Sequence, residues 1–360
     1  MPHKVLYIHH GRDGTGWGDA GINNILALDS AGVEVVPRAI SYNEGQSEVS
    51  ERVLELEDNS PAGCDICIQH TLPCNYVYDS RFKNIGYLAI ESSDFCDTLW
   101  HKNINMMDEL WVPSEYVEKA CIKSGVTIPI KIAPHALDID SYTNSPDGAK
   151  IEQLLDTFNF VFVGEFIERK NIKALLRAFH TEFHPKEPVN LLIKTSGIEI
   201  KELETYCDSI KKGLKLRNEY KKELTLSGRL EKQDYISVLR QCHSFVMPSR
   251  GEGFCIPALE AMCLGIPVIY TEGTALSEFC AGVWVESKKD SCFGGMGSLP
   301  NIYTANSEWL EINIKDLQIA MRNAYMRRDD DKAKKECLER SKKYSHENIG
   351  NLFKELLNDK

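Results

Sequence analysis

Short apolar runs alternate with stretches of helical pattern along the whole chain, and this alternation restricts the possible folds most. The first six runs are KVLYI, VEVVP, DICIQ, IGYLAI, ELWVP and IKIAP, and the next six are FNFVFVG, VNLLIKT, LTLSG, SFVMPS, IPVIY and GVWVE. Many of them are apolar at every position, as parallel strands covered on both faces are. The alternation predicts a doubly wound α/β fold, and because twelve strands exceed one comfortable sheet, we expect two such domains.

The division between these domains is expected near residue 145. A chain of 360 residues is long enough for two separate cores. The segment DIDSYTNSPDGAK, residues 138–150, has the composition of a linker. We therefore predict a Rossmann-like domain over 1–145 and a second over 146–335. In the remaining residues, 336–360, Ser345 is placed to cap a terminal helix.

Charge and composition narrow the class of protein. The net charge is −11, and the first 150 residues hold 22 acidic against 11 basic side chains, while the remainder is balanced at 31 each. An acidic first half argues against binding to nucleic acid or to anionic lipid. No apolar stretch approaches the ~20 residues of a membrane-spanning helix, and the initial apolar run is too short for a signal peptide. With twelve cysteines, we expect reduced thiols and a cytoplasmic protein.

The most informative segment is SFVMPSRGEGFCIPALEAMCLGIPVIYTEG. A strand is expected to end at Met247, and a short helix to begin near Pro257. A helix N-terminus at the carboxyl end of a strand is a site where α/β sheets bind anions. Glu252 and Glu260 bracket it, and a carboxylate can accept hydrogen bonds from a vicinal diol. The pattern predicts a ligand with phosphate and hydroxyl groups; the alternative is a capping Glu252 and a solvent-facing Glu260.

This segment resembles the E-x7-E signature of family 4 (GT4-type) retaining glycosyltransferases of the GT-B fold. Four further segments resemble that family in the same order along the chain: DELWVPSEYV, IKIAPHALDIDSY, FVGEFIERKNIKALLRAFHTEF and YSHENIGNLFKELL. The resemblance implies two doubly wound Rossmann-like domains that face each other across a cleft. It also implies that the first domain binds the acceptor, that the second binds the nucleotide sugar, and that the terminal helix packs back on the first domain.

The resemblance also implies roles for the residues of the E-x7-E segment. Glu252 would contact the hydroxyl groups of the donor sugar, and Glu260 would bind the nucleotide ribose. Backbone amides would bind the phosphates or the sugar, and they belong to Gly253, Phe254 and Cys255. Cys255 replaces the glycine that is usual in the family, so its thiol narrows the pocket.

Two basic side chains are expected to neutralise the diphosphate. By the resemblance this role falls to Lys170, with Arg169 beside it, and two cations in a loop after a strand suit it physically. The alternative is an exposed basic pair at a helix start. Many family members carry arginine directly after the glycine of the VG strand, where this chain has Glu165. Arg169 either replaces that arginine, or the site has one cation fewer.

A glycine-rich loop follows the first strand, and its residues GWGDAG spell G-x-G-x-x-G. A dinucleotide site would place the first glycine at the end of strand one and an acidic residue at the end of strand two. Neither is present, which argues against a nicotinamide cofactor. The resemblance implies instead that Gly14, Gly16 or Gly18, with Gly16 first, donates N–H groups to the β-phosphate. Trp17 is a weaker candidate on the acceptor side, where it would stack on a sugar ring, and the alternative is that it packs the loop.

Three polar residues of the first half follow predicted strands. His70, in IQHTLP, is where the family can have a histidine that bonds the donor sugar, and the alternative is a structural histidine. Glu91, in LAIESSD, is a weaker candidate for contact with the acceptor. His135, in APHALD, is predicted to be structural.

The sequence therefore leads to a retaining, metal-independent glycosyltransferase without a cofactor. Its donor is expected to be a UDP- or GDP-linked sugar and its acceptor a hydroxyl group of a glycan, a lipid-linked sugar or a small molecule. Three alternatives stay open: a sugar-nucleotide epimerase, a phosphorylase of similar fold, and an inactive sugar-nucleotide-binding subunit, which Glu165 favours. The nucleotide base, the sugar, the acceptor and the oligomeric state are left open.

Overall fold

The structure is a computed structural model that describes residues 3–40, 49–146, 148, 150–217, 219–292, 301–328 and 330–359. The chain divides into two compact units. Unit 1 consists of Met1–Ile139, Leu299–Ser307 and Lys342–Lys360, and unit 2 consists of Asp140–Ser298 and Glu308–Ser341.

Strands make up two parallel sheets and one hairpin. In chain order they are β1 (Lys4–His9), β2 (Glu34–Ala39), β3 (Ile66–His70), β4 (Lys83–Tyr87), β5 (Glu109–Val112), β6 (Ile130–Ile132), β7 (Phe158–Glu165), β8 (Val189–Ser196), β9 (Leu224–Ser227), β10 (Ser244–Met247), β11 (Val268–Thr271), β12 (Gly282–Val285), β13 (Ser287–Ser291) and β14 (Glu308–Ile312).

Helices connect most of these strands. In chain order they are α1 (Gly16–Ser30), α2 (Glu51–Glu57), α3 (Trp100–Ile104), α4 (Glu115–Lys123), α5 (Ile139–Thr143), α6 (Ile172–Glu182), α7 (Ile200–Leu214), α8 (Lys232–Arg240), α9 (Ile256–Cys263), α10 (Leu276–Phe279), α11 (Ile314–Met326), α12 (Asp331–Lys342) and α13 (His346–Asn358).

The sheet of unit 1 is parallel, with strand order β2-β1-β3-β4-β5-β6. Its central strands carry fully buried apolar side chains, as the apolar runs of the sequence require. The strand order reverses between β1 and β3. In open α/β sheets this reversal opens a crevice at the carboxyl ends of the strands, where ligands bind. β1 ends at His9 and β3 at His70, so both histidines lie at this edge.

The terminal helix α13 supplies part of the core of unit 1. Its side chains Ile349, Phe353 and Leu357 are buried in the same cluster as residues of α1 and the sheet. Ser345 caps α13 as predicted, because its side chain accepts a hydrogen bond from the N–H of Asn348. Burial of one apolar face therefore fixes this helix to unit 1.

The sheet of unit 2 is also parallel, with strand order β12-β11-β10-β7-β8-β9. Numbered within the unit, this is the 3-2-1-4-5-6 order of dinucleotide-binding Rossmann domains. The order reverses between β7 and β10. The loops that follow these two strands therefore define the expected binding edge of unit 2.

The predicted α/β class with two doubly wound sheets is confirmed, since all twelve predicted strands are present, six in each sheet. The sequence reading missed the antiparallel hairpin of β13 and β14. β13 reads SKKDS, which has neither the apolar content nor the β-branched residues of a strand. Its pairing with β14 makes it a strand. The predicted linker contains a short helix, α5.

Two further observations concern the chain as a whole. All twelve cysteines are free thiols, and most are buried. Over the described ranges, no helix has both the length and the apolar content that crossing a membrane requires.

Candidate functional site

Two loops of unit 2 meet where its strand order reverses. The loop after β7 contains Arg169, and the loop after β10 contains Ser249 to Glu252. The backbone N–H of Arg250 donates to the carbonyl oxygen of Arg169 at 2.8 Å. Within the second loop, the hydroxyl of Ser249 donates to the carbonyl of Gly251 at 2.9 Å. These bonds fix the two loops against each other at the binding edge.

A buried ion cluster joins the loops. The Nζ of Lys170 lies 2.8 Å from Oε1 of Glu252, and Nη1 of Arg169 lies 3.2 Å from the same oxygen. Arg169 also donates to the carbonyl of Gly251 at 2.7 Å. The exposed fractions are 4% for Glu252, 6% for Arg169 and 8% for Lys170. The structure thus brings together Lys170, Arg169 and Glu252 as the sequence analysis expects, and the alternative of an exposed basic pair does not apply.

The ionisation state of Glu252 follows from this cluster. Burial acts to raise the pKa of Glu252, but the charges of Lys170 and Arg169 outweigh it and lower the pKa below its usual range. Glu252 is therefore a carboxylate at neutral pH. Two cations and one carboxylate give this cluster of three side chains one net positive charge, which suits an anionic ligand.

Helix α9 begins beside this cluster. Pro257 lies in its first turn, as predicted. The N-cap residue is Cys255, with φ 85°, in the left-handed region that normally favours glycine. Burial, followed by the charge of Glu252, raises the pKa of the Cys255 thiol to about 12, so the thiol is neutral. The ring of Phe254 stacks on Phe279 with centroids 4.7 Å apart.

Glu260 lies on α9 and is bonded by two phenols. Oη of Tyr142 donates to its Oε1 at 2.5 Å, and Oη of Tyr235 donates to its Oε2 at 2.7 Å. Burial and the nearby charge of Glu260 raise the pKa of Tyr235 well above its usual range. Glu260 is partly exposed, and these two bonds hold its carboxylate instead of leaving it free in solvent. Likewise Glu252 does not cap α9, because Cys255 occupies that position.

A second ion cluster supports the loops and was missed from the sequence. Nε of Arg250 donates to Oε2 of Glu311 on β14 at 2.5 Å, and its Nη1 lies 2.9 Å from Oε1 of Glu168. Asn171 donates to the other oxygen of Glu311 at 3.1 Å. Arg250 lies within the E-x7-E segment, but Glu311 belongs to the hairpin of β13 and β14, which the sequence did not predict. Glu165 is exposed, at the end of β7.

In unit 1, His70 lies among aromatic rings at the end of β3. Its Nδ1 lies 3.0 Å from Oη of Tyr7, while its Nε2 is buried and has no hydrogen-bond partner among the described residues. Its ring centroid is 5.3 Å from that of Trp17 and 5.8 Å from that of His135, which it stacks on. Burial, and then the charges of neighbouring histidines, lower the pKa of His70 well below its usual range. Two of the predicted residues, His70 and Trp17, are thus brought together.

The glycines of the loop after β1 differ in their surroundings. Gly14 and Gly16 are exposed, and Gly16 is the first residue of α1, after the N-cap Thr15. Gly18 is buried, and a Cβ there would lie 2.6 Å from the carbonyl oxygen of His10. Its N–H donates to the hydroxyl of Thr15 at 3.2 Å. Gly18 is therefore required for packing, whereas the exposed Gly16 at the helix start is not.

The sequence reading assigned no role to the histidine pair that ends β1. His9 is fully buried, and its Nδ1 accepts from the N–H of Gly11 at 2.9 Å. Burial, and then the charges of His10 and Arg12, lower the pKa of His9 to about 4. The signal was present, because a polar residue at the carboxyl end of a central parallel strand faces the binding edge.

Glu91 and His135 have partners inside unit 1. The carboxylate of Glu91 is bonded to the hydroxyl of Tyr303, so an acceptor that bonds Glu91 has to compete with this phenol. Nδ1 of His135 lies 3.0 Å from Oη of Tyr87, and burial lowers the pKa of His135 to about 3. Through the described part of the chain, no three His, Cys, Asp or Glu side chains converge as metal ligands.

Parts of the sequence are similar to known proteins. The model of the family described as Glycosyl transferases group 1 matches residues 157–293, which include the two loops of unit 2. The serotype-specific mannosyltransferase WbdA of Escherichia coli is 31% identical over 252 residues, which are 66% of this chain and 29% of WbdA. The chain thus spans less than a third of the length of that relative.

Solved structures resemble the whole chain. The UDP complex of HepE (Alr3699) from Anabaena superposes with a TM-score of 0.67 and 13% identity, covering 98% of this chain and 99% of HepE. Sucrose-phosphate synthase from Thermosynechococcus elongatus gives 0.65 and 14%, covering 99% and 98%. At such identities the likeness shows the fold, and the predicted fold class is confirmed. The chain thus has the GT-B fold, and its residues 157–293 match the model of the group 1 glycosyl transferases.

Proposed function

We propose that this protein is a retaining, metal-independent glycosyltransferase of the GT4 type. It transfers a sugar from a nucleoside diphosphate sugar to a hydroxyl acceptor. The observation that carries the proposal is the buried cluster of Lys170, Arg169 and Glu252 at the binding edge of unit 2, beside the start of α9. A diphosphate requires that positive charge. HepE was solved with UDP-glucose and WbdA is named a mannosyltransferase, which supports a UDP- or GDP-linked donor.

Each part of the donor has a partner in unit 2. The diphosphate lies against Lys170 and Arg169 and the amides of Gly253, Phe254 and Cys255, with the N-terminal dipole of α9 adding to their charge. Glu260 accepts hydrogen bonds from the ribose diol, and Glu252 from hydroxyl groups of the sugar. A carboxylate oxygen that already accepts one hydrogen bond has a further lone pair for the ligand.

The reaction is a front-face substitution at the anomeric carbon. The bond from that carbon to the diphosphate oxygen breaks, and a bond to the acceptor oxygen forms on the same face. The leaving β-phosphate takes the proton of the acceptor hydroxyl. Negative charge that grows on the diphosphate is stabilised by Lys170 and Arg169, and one such donor contributes about 3 kcal/mol to transition-state stabilisation.

Unit 1 is proposed to bind the acceptor and part of the donor. His70 and Gly16 belong to the donor side, because His70 has an unpartnered Nε2 and Gly16 opens a helix start. Trp17 offers a ring for stacking on a sugar. Glu91 contributes to acceptor binding in exchange for its bond to Tyr303.

The test is a product assay with the purified chain and a panel of nucleotide sugars. We first rank donors by thermal shift, since a ligand at about 100 times its Kd stabilises by about 2.7 kcal/mol. Donors that bind are then incubated with sugar acceptors in excess EDTA, and the anomeric configuration of the product is read by NMR. We expect a glycoside that keeps the anomeric configuration of the donor sugar and that also forms in the presence of EDTA.

Each alternative gives a different result in this assay. Conversion of the nucleotide sugar without an acceptor indicates an epimerase, and a requirement for inorganic phosphate indicates a phosphorylase. Binding without hydrolysis or transfer indicates an inactive subunit. Loss of activity in EDTA that Mg²⁺ or Mn²⁺ restores would refute the metal-independent mechanism.

A further inference from the structure

A chain of hydrogen bonds in unit 1 leads from the backbone to His70. The N–H of Ala136 donates to Oδ1 of Asn24 at 3.1 Å. The amide nitrogen of Asn24 donates to Oη of Tyr7 at 3.4 Å, and that oxygen lies 3.0 Å from Nδ1 of His70. Asn24, Tyr7 and His70 are all buried, with exposed fractions of 2% or less.

The direction of each bond follows from the one before it. A backbone N–H can only donate, so Oδ1 of Asn24 accepts and its NH₂ group points to Tyr7. The phenol oxygen of Tyr7 receives that hydrogen, and among the described residues Nδ1 of His70 is the acceptor within reach of the phenol's own proton, which is therefore directed to it. A neutral imidazole that accepts at Nδ1 carries its proton on Nε2.

We propose that Asn24 and Tyr7 are positioning residues that fix His70 as an Nε2–H donor, which selects a ligand with a neutral oxygen at that point. The identity of the ligand as the donor sugar rests on the function proposed above. The oxygen is then a sugar hydroxyl or ether oxygen, and His70 becomes a determinant of sugar specificity.

The surroundings of Nε2 support a neutral acceptor. The rings of Trp17, Tyr87 and His135 lie within 5.8 Å of the His70 ring, centroid to centroid. Burial keeps His70 neutral by lowering its pKa, so it does not offer a positive charge to an anion. A buried N–H without a partner is unfavourable, and a ligand oxygen would satisfy it. An analogue with hydrogen in place of that hydroxyl would leave it unsatisfied.

His135 provides a contrast within the same cluster. The hydroxyl of Tyr87 donates to the carbonyl of Ala133 at 2.5 Å. Its oxygen is therefore free to accept from Nδ1 of His135, 3.0 Å away. The two stacked imidazoles are expected to be opposite tautomers: His70 protonated on Nε2, and His135 on Nδ1.

The tautomers are measured by long-range ¹H–¹⁵N NMR on the full chain labelled with ¹⁵N-histidine. His70→Gln and His135→Gln assign the two rings. In the wild type we expect the Nε2–H pattern for His70 and the Nδ1–H pattern for His135. Tyr7→Phe should shift His70 toward a tautomer mixture, whereas the matched Tyr87→Phe should change His135 alone. A wild-type His70 protonated on Nδ1 overturns the inference, and so does a His70 tautomer that Tyr7→Phe leaves unchanged. The wild-type spectrum does not depend on the folding of any variant.

Binding of deoxy sugars tests the specificity. UDP-glucose and GDP-mannose are compared with their 3-, 4- and 6-deoxy analogues by calorimetry. We expect one deoxy position to weaken wild-type binding by about tenfold, and this selectivity to fall toward unity in Tyr7→Phe. Selectivity that survives Tyr7→Phe overturns the role of Tyr7 while leaving the glycosyltransferase proposal intact. If neither nucleotide sugar binds, the donor-sugar assignment fails with the proposed function, whereas the tautomer result stands separately.

Discussion

Lys170 and Arg169 share one carboxylate oxygen but are placed for different tasks. Arg169 bonds both Glu252 and the carbonyl of Gly251, so it ties the loop after β10 to the loop after β7. Lys170 makes one bond, to Glu252, and an ammonium group has three donors. Lys170 therefore retains donors for a phosphate. The sequence could not show this difference between Arg169 and Lys170, because the two residues are adjacent in it.

Replacement of Lys170 by alanine should reduce kcat by about 100-fold or more, because its charge acts as negative charge develops on the leaving diphosphate. The Kd of the donor should change less. Steady-state kinetics and calorimetry measure the two effects, and Lys173→Ala, an exposed lysine on α6, is the matched control. A Lys170→Ala enzyme with wild-type kcat would remove the diphosphate from this site.

Glu260→Ala should weaken binding of the native nucleoside diphosphate by calorimetry, because the ribose loses its carboxylate. The variant should also lower the free energy of unfolding by about 1–3 kcal/mol, since the hydroxyls of Tyr142 and Tyr235 lose their acceptor. The loss of stability comes from the two phenols, and no sequence motif predicted their contact with Glu260. Tyr235→Phe removes one of these bonds and keeps the carboxylate. Unchanged nucleotide affinity in Glu260→Ala would assign this carboxylate to structure alone.

Cys255 should invert the usual order of alanine and glycine. With φ 85°, any side chain at this position is strained by about 1–3 kcal/mol, and glycine is not. Cys255→Gly should therefore be more stable than Cys255→Ala by about 1 kcal/mol or more, as measured by urea unfolding. In an unstrained helix or strand the alanine variant is the more stable one. A Cys255→Ala variant that is more stable than Cys255→Gly would therefore contradict the left-handed backbone at this position.

Among the elements, the packing of α13 on α1 includes a close approach of the two backbones at Gly350. A Cβ at Gly350 would lie 2.0 Å from the carbonyl oxygen of Ala27 on α1. The obstructing atom is backbone, so it cannot move aside as a flexible side chain would. The two helices must separate to admit even one methyl group.

Gly350→Ala should accordingly lower the free energy of unfolding by about 1–3 kcal/mol. Gly213→Ala is the matched control, because Gly213 lies in helix α7 and a Cβ there meets nothing within 4 Å. The control should be neutral or more stable by up to about 1 kcal/mol, from helix propensity alone. Equal stability of the two variants in chemical denaturation would show that α13 does not approach α1 so closely.

The elements also show what the sequence can and cannot predict. Apolar runs located all twelve strands of the two parallel sheets, because burial on both faces leaves a compositional signal. The polar strand β13 has no such signal, so its hairpin with β14 was not predicted. The contact between Arg250 and Glu311 on β14 was therefore not predicted either. Strand order is invisible in a single sequence. The Glu252 and Lys170 cluster could be proposed only by resemblance, since 82 positions separate these residues.

At the scale of the whole molecule, buried histidines make stability depend on pH. The folded pKa is about 4 for His9 and about 3 for His135, whereas an unfolded histidine has a pKa of about 6.5. Below pH 6.5 the unfolded chain binds protons that the folded chain does not. The stability that these two neutral rings contribute is therefore complete above pH 6.5 and is lost as the pH falls toward 4.

Of the free energy of unfolding that is lost between pH 7.5 and 5.5, His9 and His135 together should account for about 3 kcal/mol, and His70, whose pKa burial also lowers, adds to that loss. Urea titrations at the two pH values measure this difference. His135→Gln removes one of the two groups, so its pH-dependent loss should be smaller by about half of that amount. A variant with the full wild-type loss would show that His135 is protonated equally in both states.

The composition of unit 1 has a consequence for synthesis on the ribosome. Unit 1 takes most of its residues from the beginning of the chain, yet Ile349, Phe353 and Leu357 complete its core. When unit 2 has emerged from the ribosome, unit 1 still exposes the apolar surface that α13 will cover. Most of unit 1 precedes unit 2 in the chain, yet unit 1 is completed after it, and during that interval the uncovered apolar surface of unit 1 is available to a chaperone.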